Sequence, residues 1–464
     1  MKGEKNHLYY LFPLLLLVVA ALLGLHQVPR WWTREHHLRA VDLLSDLRPT
    51  HEPRAVVPKD TVEQDTVAAK PAVHVVLPDS FPEGMTAIED YSDSALRGMP
   101  RFYDALRQCE KDGRRVRVAY FGDSFIEGDI LTGNLRELLQ AKYGGGGVGF
   151  VPVSSEVSQF RQTVLLTSRG FVRHVRRGSA PFSPSLQGIM GDYFTTEGSA
   201  FTQLKGSKGP LAYLDTCELS TLFYLAQADT MELTCTINGG QPAELRHENT
   251  EGGVRASTAE GRIGQVRWSV EGGRETPFFG VAMDNRRGVS LDNFSVRGSD
   301  GLQTGRIPLE TLCAFQELRP YDLIVLEYGL NVASPGRRDY SGYRQGLVRA
   351  VEHLKQAFPQ AAVLIVSVGD REERDEDDGV LHTIDGVLYL LEAQRATARD
   401  CHVAFWNLYE AMLREGGIAG MVERRQANRD YTHINYQGGK RLAKLLFEAL
   451  EEGKSQYERL NEKD

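Results

Sequence analysis

The chain has 464 residues and a formal net charge of −8, with 54 Lys and Arg against 62 Asp and Glu. That length is enough for more than one domain and a sizeable core, and an acidic balance without a basic face argues against nucleic acid as a partner. Its five cysteines, Cys109, Cys217, Cys235, Cys313 and Cys401, lack metal-ligand spacing, so no metal is expected.

In chain order, Leu8 to Leu25 is apolar apart from Tyr9, Tyr10 and Pro13, with Lys2 and Lys5 before it and Trp31-Trp32 after it. The stretch is long enough to span a bilayer, and paired tryptophans suit the membrane interface. Residues 1–39 therefore read as a membrane anchor, or as a signal segment removed on export. Residues 40–87 are rich in Pro, Val and charge without periodicity, which predicts an extended linker. From Ile88 the pattern is helical through Phe102, Leu106 and Cys109. The alternating Val116, Val118 and Tyr120 then predict a strand over Arg115 to Phe121. Leu131 to Tyr143 reads as a helix ended by Gly144 to Gly147. No Gly-Lys-Ser/Thr follows those glycines, so they do not read as a phosphate cradle.

Residues 161–296 change character. Short β-type runs (Leu222 to Leu225, Leu233 to Ile237, Val266 to Val270, Phe278 to Met283) alternate with Asn238-Gly239-Gly240, Gly252-Gly253 and Gly272-Gly273. This predicts a β-sandwich inserted between two α/β segments, 88–160 and 297–455. Cys217 and Cys235 lie within it and are candidates for pairing in an oxidising compartment. The α/β pattern resumes with helical Tyr343 to Phe358, the buried strand Val363 to Val366, helical Val387 to Thr397 and the strand Val403 to Trp406. Asn435 is placed to cap a last helix with Leu442, Leu445, Leu446 and Leu450 on one side, and 456–464 reads as a tail. The acidic run Asp370 to Asp378 is expected as a solvated loop, with metal ligation as the alternative. Strands alternating with helices predict a mainly parallel sheet covered on both faces.

Three short motifs carry chemistry: Gly122-Asp123-Ser124, Gly329-Leu330-Asn331 and Asp430-Tyr431-Thr432-His433. Ser124 falls on the turn after the first strand, where open parallel sheets keep their ligands. A hydroxyl is a weak nucleophile until a base takes its proton. His433 supplies that base and Asp430 a carboxylate to orient it. Asn331, at the end of the apolar run Leu323 to Leu326, supplies an amide donor for a developing oxyanion. Glu127 and Asp129 are alternative orienting acids, while Asp123 reads as a support for the nucleophile's turn.

The order Ser, Asn, Asp, His resembles that of the SGNH/GDSL hydrolases. The stretches Gly122 to Asp129, Leu131 to Arg136, Gly144 to Gly149 and Trp406 to Met412 are similar to the bacterial branch with peptidoglycan and polysaccharide O-acetylesterases. The resemblance covers roughly Ile88 to Leu450. It departs at Val332, where the family has an acid after the asparagine, and at Phe125, where it has leucine. It implies a flavodoxin-like α/β sheet with a carbohydrate-binding insert, a Ser124–His433–Asp430 triad and no cofactor. It further implies an oxyanion hole of the Ser124 and Gly301 N–H groups with the Asn331 amide. Gly301 is assigned through Val296 to Gly301, a block the insert displaces downstream; the alternative is that Gly298 and Gly301 only form a turn. The implied partner is an acetylated cell-envelope polysaccharide, peptidoglycan first, met by a periplasmic catalytic region tethered to the inner membrane. An O-acetyltransferase with the same triad and a non-catalytic glycan-binding protein remain alternatives. Tyr213, Tyr224, Trp268, Phe278 and Phe279 are the insert's candidates for stacking on sugars, or else core residues.

Overall fold

A computed structural model of the protein describes residues 81–92, 98–207, 209–227, 230–245, 252–375 and 379–461. The apolar stretch Leu8 to Leu25 and all but the end of the expected linker lie outside these residues. Among the described residues no helix is long and apolar enough to cross a membrane.

The Arg115–Gly122 strand belongs to a six-stranded sheet. Its order is Ile88–Asp90, Ala404–Trp406, Ala362–Val366, Leu323–Glu327, Arg115–Gly122, Gly288–Ser295. Neighbours are parallel except at the edge, where Ile88–Asp90 runs antiparallel to Ala404–Trp406. Numbered along the chain, the parallel strands follow the flavodoxin-like order 2-1-3-4-5. Leu323–Glu327 and Ala362–Val366 are buried at every residue, as strands are when helices cover both faces of a sheet. One group of packed helices comprises Met99–Asp112, Thr132–Tyr143 and Tyr436–Asn461; another comprises Leu309–Leu318, Ser341–Ala357 and Asp385–Asp400.

Three local expectations change here. The first helix starts at Met99, not Ile88. Ile88–Asp90 is the edge strand, and Asp90 Oδ2 accepts from the Met99 N–H at 3.0 Å. The last helix continues to Asn461, into the expected tail. Its Lys454 is buried and pairs with Glu110 at 2.8 Å. Asn435 caps that helix as expected, its Oδ1 accepting from Gln437 N at 2.9 Å. The acidic run is not simply a solvated loop. Asp370 is fully buried, accepting from Thr383 Oγ1 and Ile418 N, each at 2.8 Å. Glu372–Arg374 and Leu381–Thr383 form a small hairpin beyond it.

The inserted β structure is one hydrogen-bonded sheet of nine strands, not a sandwich of two separate sheets. It folds over a core that includes Leu204, Leu222, Leu233, Trp268 and Val281. The Val164–His174 and Tyr193–Gly206 strands shift register between Arg169 and Phe171. Gly170 lies there at φ 83°, a bulge of the kind that bends a strand and lets a sheet curl. The two ends of the insert also move. Gly149–Pro152 pairs with Phe278–Asp284 in the curled sheet, whereas Gly288–Ser295 pairs with Arg115–Gly122 in the central one. Alternation identifies a strand but not the sheet it joins. Cys217 and Cys235 are buried in the curled sheet's core, and all five cysteines are free thiols.

A buried ion network ties the two sheets together. Arg319 donates to Asp284, which ends the last strand of the curled sheet, at 2.5 Å, and to Asp292 of the central sheet at 2.6 Å. Tyr321 Oη donates to the same Asp292 at 2.6 Å. The Gly144–Gly147 run lets the chain cross here at close quarters. A Cβ on Gly145 would lie 2.4 Å from Val289 O, and one on Gly147 2.2 Å from Met283 O.

Candidate active site

Three loops meet at the carboxyl ends of adjacent parallel strands. Ser124 follows Arg115–Gly122, Asn331 follows Leu323–Glu327, and the segment 296–301 follows Gly288–Ser295. The first loop turns sharply because Asp123 Oδ1 accepts from the Phe125 N–H at 2.9 Å. That bond leaves Ser124 half-exposed at the tip, with Phe125 and Ile126 buried behind it. The Phe125 position thus packs.

His433 comes from a separate loop, pinned by the Asn428 N–H donating to His433 O at 2.8 Å and by a bridge between Ala427 and Ile434. Its Nε2 faces Ser124 Oγ at 3.4 Å, slightly longer than an ordinary hydrogen bond. Its Nδ1 faces Asp430 Oδ2 at 2.8 Å. Asp430 Oδ1 accepts from the Thr432 and His433 N–H groups, both at 3.0 Å. Partial burial pushes the Asp430 carboxyl up, but the His433 and Thr432 donors outweigh it and hold the group below the usual carboxylate range. It therefore stays charged opposite the imidazole, as an orienting acid must.

The other acids near Ser124 have different partners. Glu127 pairs with Arg297, whose Nε lies 2.9 Å away. Asp129 is fully buried at φ 62°. It accepts from Thr132 Oγ1 at 2.8 Å, Asn293 Nδ2 at 2.9 Å, Arg136 Nη2 at 3.1 Å and Arg161 Nε at 2.8 Å. Burial opposes its charge, and the two guanidiniums override that and hold its carboxyl far below the usual range. Asp129 anchors the nucleophile loop from beneath. Sequence reading missed this role, since its partners lie as far off as Asn293.

The oxyanion side differs from expectation at one residue. The Gly301 N–H donates to Ser299 Oγ at 3.1 Å, and Gly301 is buried against the Tyr328 ring. In this structure its N–H is therefore engaged within the loop. Gly298, at φ 75°, is exposed, and a Cβ there would meet nothing within 4 Å. Asn331 does reach the site. Its Nδ2 donates to Asp123 Oδ2 and to Ser299 O, both at 3.1 Å.

Beneath these loops lie two buried acids. Burial pushes the Asp123 carboxyl up to about 6 despite donors from Phe125, Gly329 and Asn331. Glu327, opposite Gly122 in the sheet, is pushed up to about 8, by burial first and also by the Asp123 charge, against the effect of the Tyr120 hydroxyl.

The fold has a counterpart among solved structures. A peptidoglycan O-acetylesterase is 20% identical to the chain and superposes with a TM-score of 0.64, over 79% of this chain and 99% of that one. The chain shares the fold of that protein. An acetyl xylan esterase (17% identical, 35% of this chain, 81% of that one) reaches a TM-score of 0.26. A family two carbohydrate esterase from Cellvibrio japonicus (10% identical, 63% and 99% covered) reaches the same score. Neither score carries an argument about fold. No family model and no curated protein matches the chain. The loops bearing Ser124, Asn331 and His433 sit where doubly wound sheets bind ligands.

Proposed function

We propose that the protein is a serine esterase that removes O-acetyl groups from a cell-envelope polysaccharide, peptidoglycan first. The observation that carries this reading is the line from Ser124 Oγ through His433 to Asp430, with contacts of 3.4 and 2.8 Å. The fold shared with a peptidoglycan O-acetylesterase supports the substrate class.

In the proposed reaction His433 Nε2 takes the Ser124 proton as Oγ attacks the acetyl carbonyl. The negative charge that develops on the carbonyl oxygen meets the Ser124 N–H, the Asn331 amide and the exposed Gly298 backbone. Charged Asp430 steadies the imidazolium, which then gives its proton to the departing sugar hydroxyl. Water, deprotonated by the same histidine, releases acetate from Ser124. These steps use only side chains and backbone of this chain. The substrate lies outside the cytoplasm, so we also read Leu8 to Leu25 as an inner-membrane anchor holding a periplasmic catalytic region.

The test is acetate release from purified O-acetylated peptidoglycan and from other acetylated glycans, with the Ser124→Ala protein as control. Release by the parent but not the variant supports the esterase. Acetyl transfer to an added glycan acceptor in preference to water would replace it with a transferase, and no acetyl loss from any substrate would refute both.

A further inference from the structure

A cavity of about 250 Å³ opens between the two sheets, beside the nucleophile loop. Glu127 and Gly128, just past Ser124, form part of one wall with Val296 and Arg297, which lead into Gly298. The opposite wall comes from the curled sheet and the loop entering it, including Ser154, Ser155, Ser158, Arg173 and Asp192. Leu166, Met190 and Phe194 supply apolar surface.

The charges lining this cavity are matched. Arg297 pairs with Glu127, Arg173 with Asp192 at 2.7 Å and Arg161 with Asp129 at 2.8 Å, while Glu156 adds a further negative charge. A phosphate or carboxylate would have to displace one of those acids. A neutral polyol would not. Paired guanidiniums and carboxylates beside serine hydroxyls offer donors and acceptors together, which is what sugar hydroxyls require. The volume is below the roughly 300–1,000 Å³ of drug-sized sites, so it suits one ring and not a chain of them.

Phe160, between the lining residues Ser158 and Arg161, is 62% exposed at the end of the Ser158–Phe160 turn. Its carbonyl accepts from the hydroxyl of Tyr436, just past His433. The other aromatics of the insert offer less. Tyr224, Trp268, Phe278 and Phe279 are buried, which overturns them as stacking surfaces; Tyr213 alone of the five is exposed.

We propose that this cavity holds one neutral pyranose of the acetylated polysaccharide, next to the sugar whose acetyl group faces Ser124, with the exposed Phe160 beside the lining Ser158 and Arg161 available to stack on it. This rests on the esterase reading for its substrate, but its test does not need turnover. The Ser124→Ala protein is titrated with chitotetraose, with cellotetraose and with anionic tetragalacturonate. Binding of a neutral oligosaccharide, weakened at least tenfold when Ser155→Trp fills the cavity and less so by Phe160→Ala, supports the proposal. No binding of either neutral probe, affinity unmoved by Ser155→Trp, or tighter binding of tetragalacturonate overturns it. In the active protein, the ratio of kcat/KM on polymer to kcat/KM on a small acetyl ester should fall at least tenfold with Ser155→Trp. The ratio cancels any loss of folded enzyme, and an unchanged ratio counts against the cavity. Acetate release without cavity binding sinks the subsite alone, whereas binding without acetate release sinks the esterase alone.

Discussion

Asn331 Nδ2 donates to Asp123 Oδ2 across 3.1 Å, joining the amide expected at the oxyanion to the residue just before the nucleophile. The second amide hydrogen goes to Ser299 O. The Ser124 turn, the Asn331 loop and the 296–301 loop are therefore one hydrogen-bonded unit, and an oxyanion must draw the amide from partners it already has. Asn331→Ala should lower kcat about 10²–10³-fold with little change in KM. Asp123→Asn, which removes the charged acceptor, should cost about 10–100-fold through the same amide. Steady-state kinetics on a small acetyl ester measure both. A full effect of Asp123→Asn in an Asn331→Ala background would show that the two act separately.

Ser124→Ala and His433→Ala should each reduce kcat by at least about 10³-fold, and the double variant should lose little more, because nucleophile and base act as a unit. Asp430→Asn should lose somewhat less. Circular dichroism should show all of them folded. Near-parental turnover by the Ser124 variant would remove the nucleophile from the scheme.

Gly301 and Gly298 should respond unequally to a methyl group. A Cβ on Gly301 would lie 2.5 Å from the Tyr328 ring at φ 82°, so Gly301→Ala should cost about 2–5 kcal/mol in stability. A Cβ on Gly298 meets nothing within 4 Å, so Gly298→Ala should cost only the 1–2 kcal/mol, roughly, of a left-handed backbone. Denaturant midpoints distinguish the two. Equal costs would mean that Gly301 is not packed as described.

Glu327 makes stability depend on pH. Its carboxyl is raised to about 8 in the fold from an ordinary 4.5, so between those values the native state holds a proton that the unfolded chain has lost. Stability is then highest below about pH 4.5, falls as pH rises through the window and is lowest above 8, by about 3–5 kcal/mol at most. Glu327→Gln should flatten this slope and be the more stable protein at pH 8.5. Urea midpoints at pH 5 and 8.5 test it; parallel shifts in parent and variant would remove Glu327 as the cause.

For the membrane, protease added to cells opened only at the outer envelope should digest the catalytic region, because Leu8 to Leu25 is read as an inner-membrane anchor with that region outside. Digestion only after the inner membrane is broken would place it in the cytoplasm and remove envelope polysaccharide as substrate.

The sequence alone determined what depends on neighbours along the chain. The alternation in Arg115 to Phe121, the apolar run Val363 to Val366 and the Asn435 cap each lie within a few residues, and all three appear in the structure. So does the Asp430–His433 contact, because the two residues share one loop. Tertiary structure alone decided which strands pair and which polar groups are buried. Gly288–Ser295 reads as one more strand of the insert until it is seen hydrogen-bonded to Arg115–Gly122. Buried Asp370 reads as part of a solvated run, and Gly301 reads as the oxyanion donor, although in the structure its N–H is bonded to Ser299 Oγ. Period and spacing report which face of an element is apolar, whereas burial and hydrogen-bond partners are settled by the packing of elements that the chain order does not place side by side.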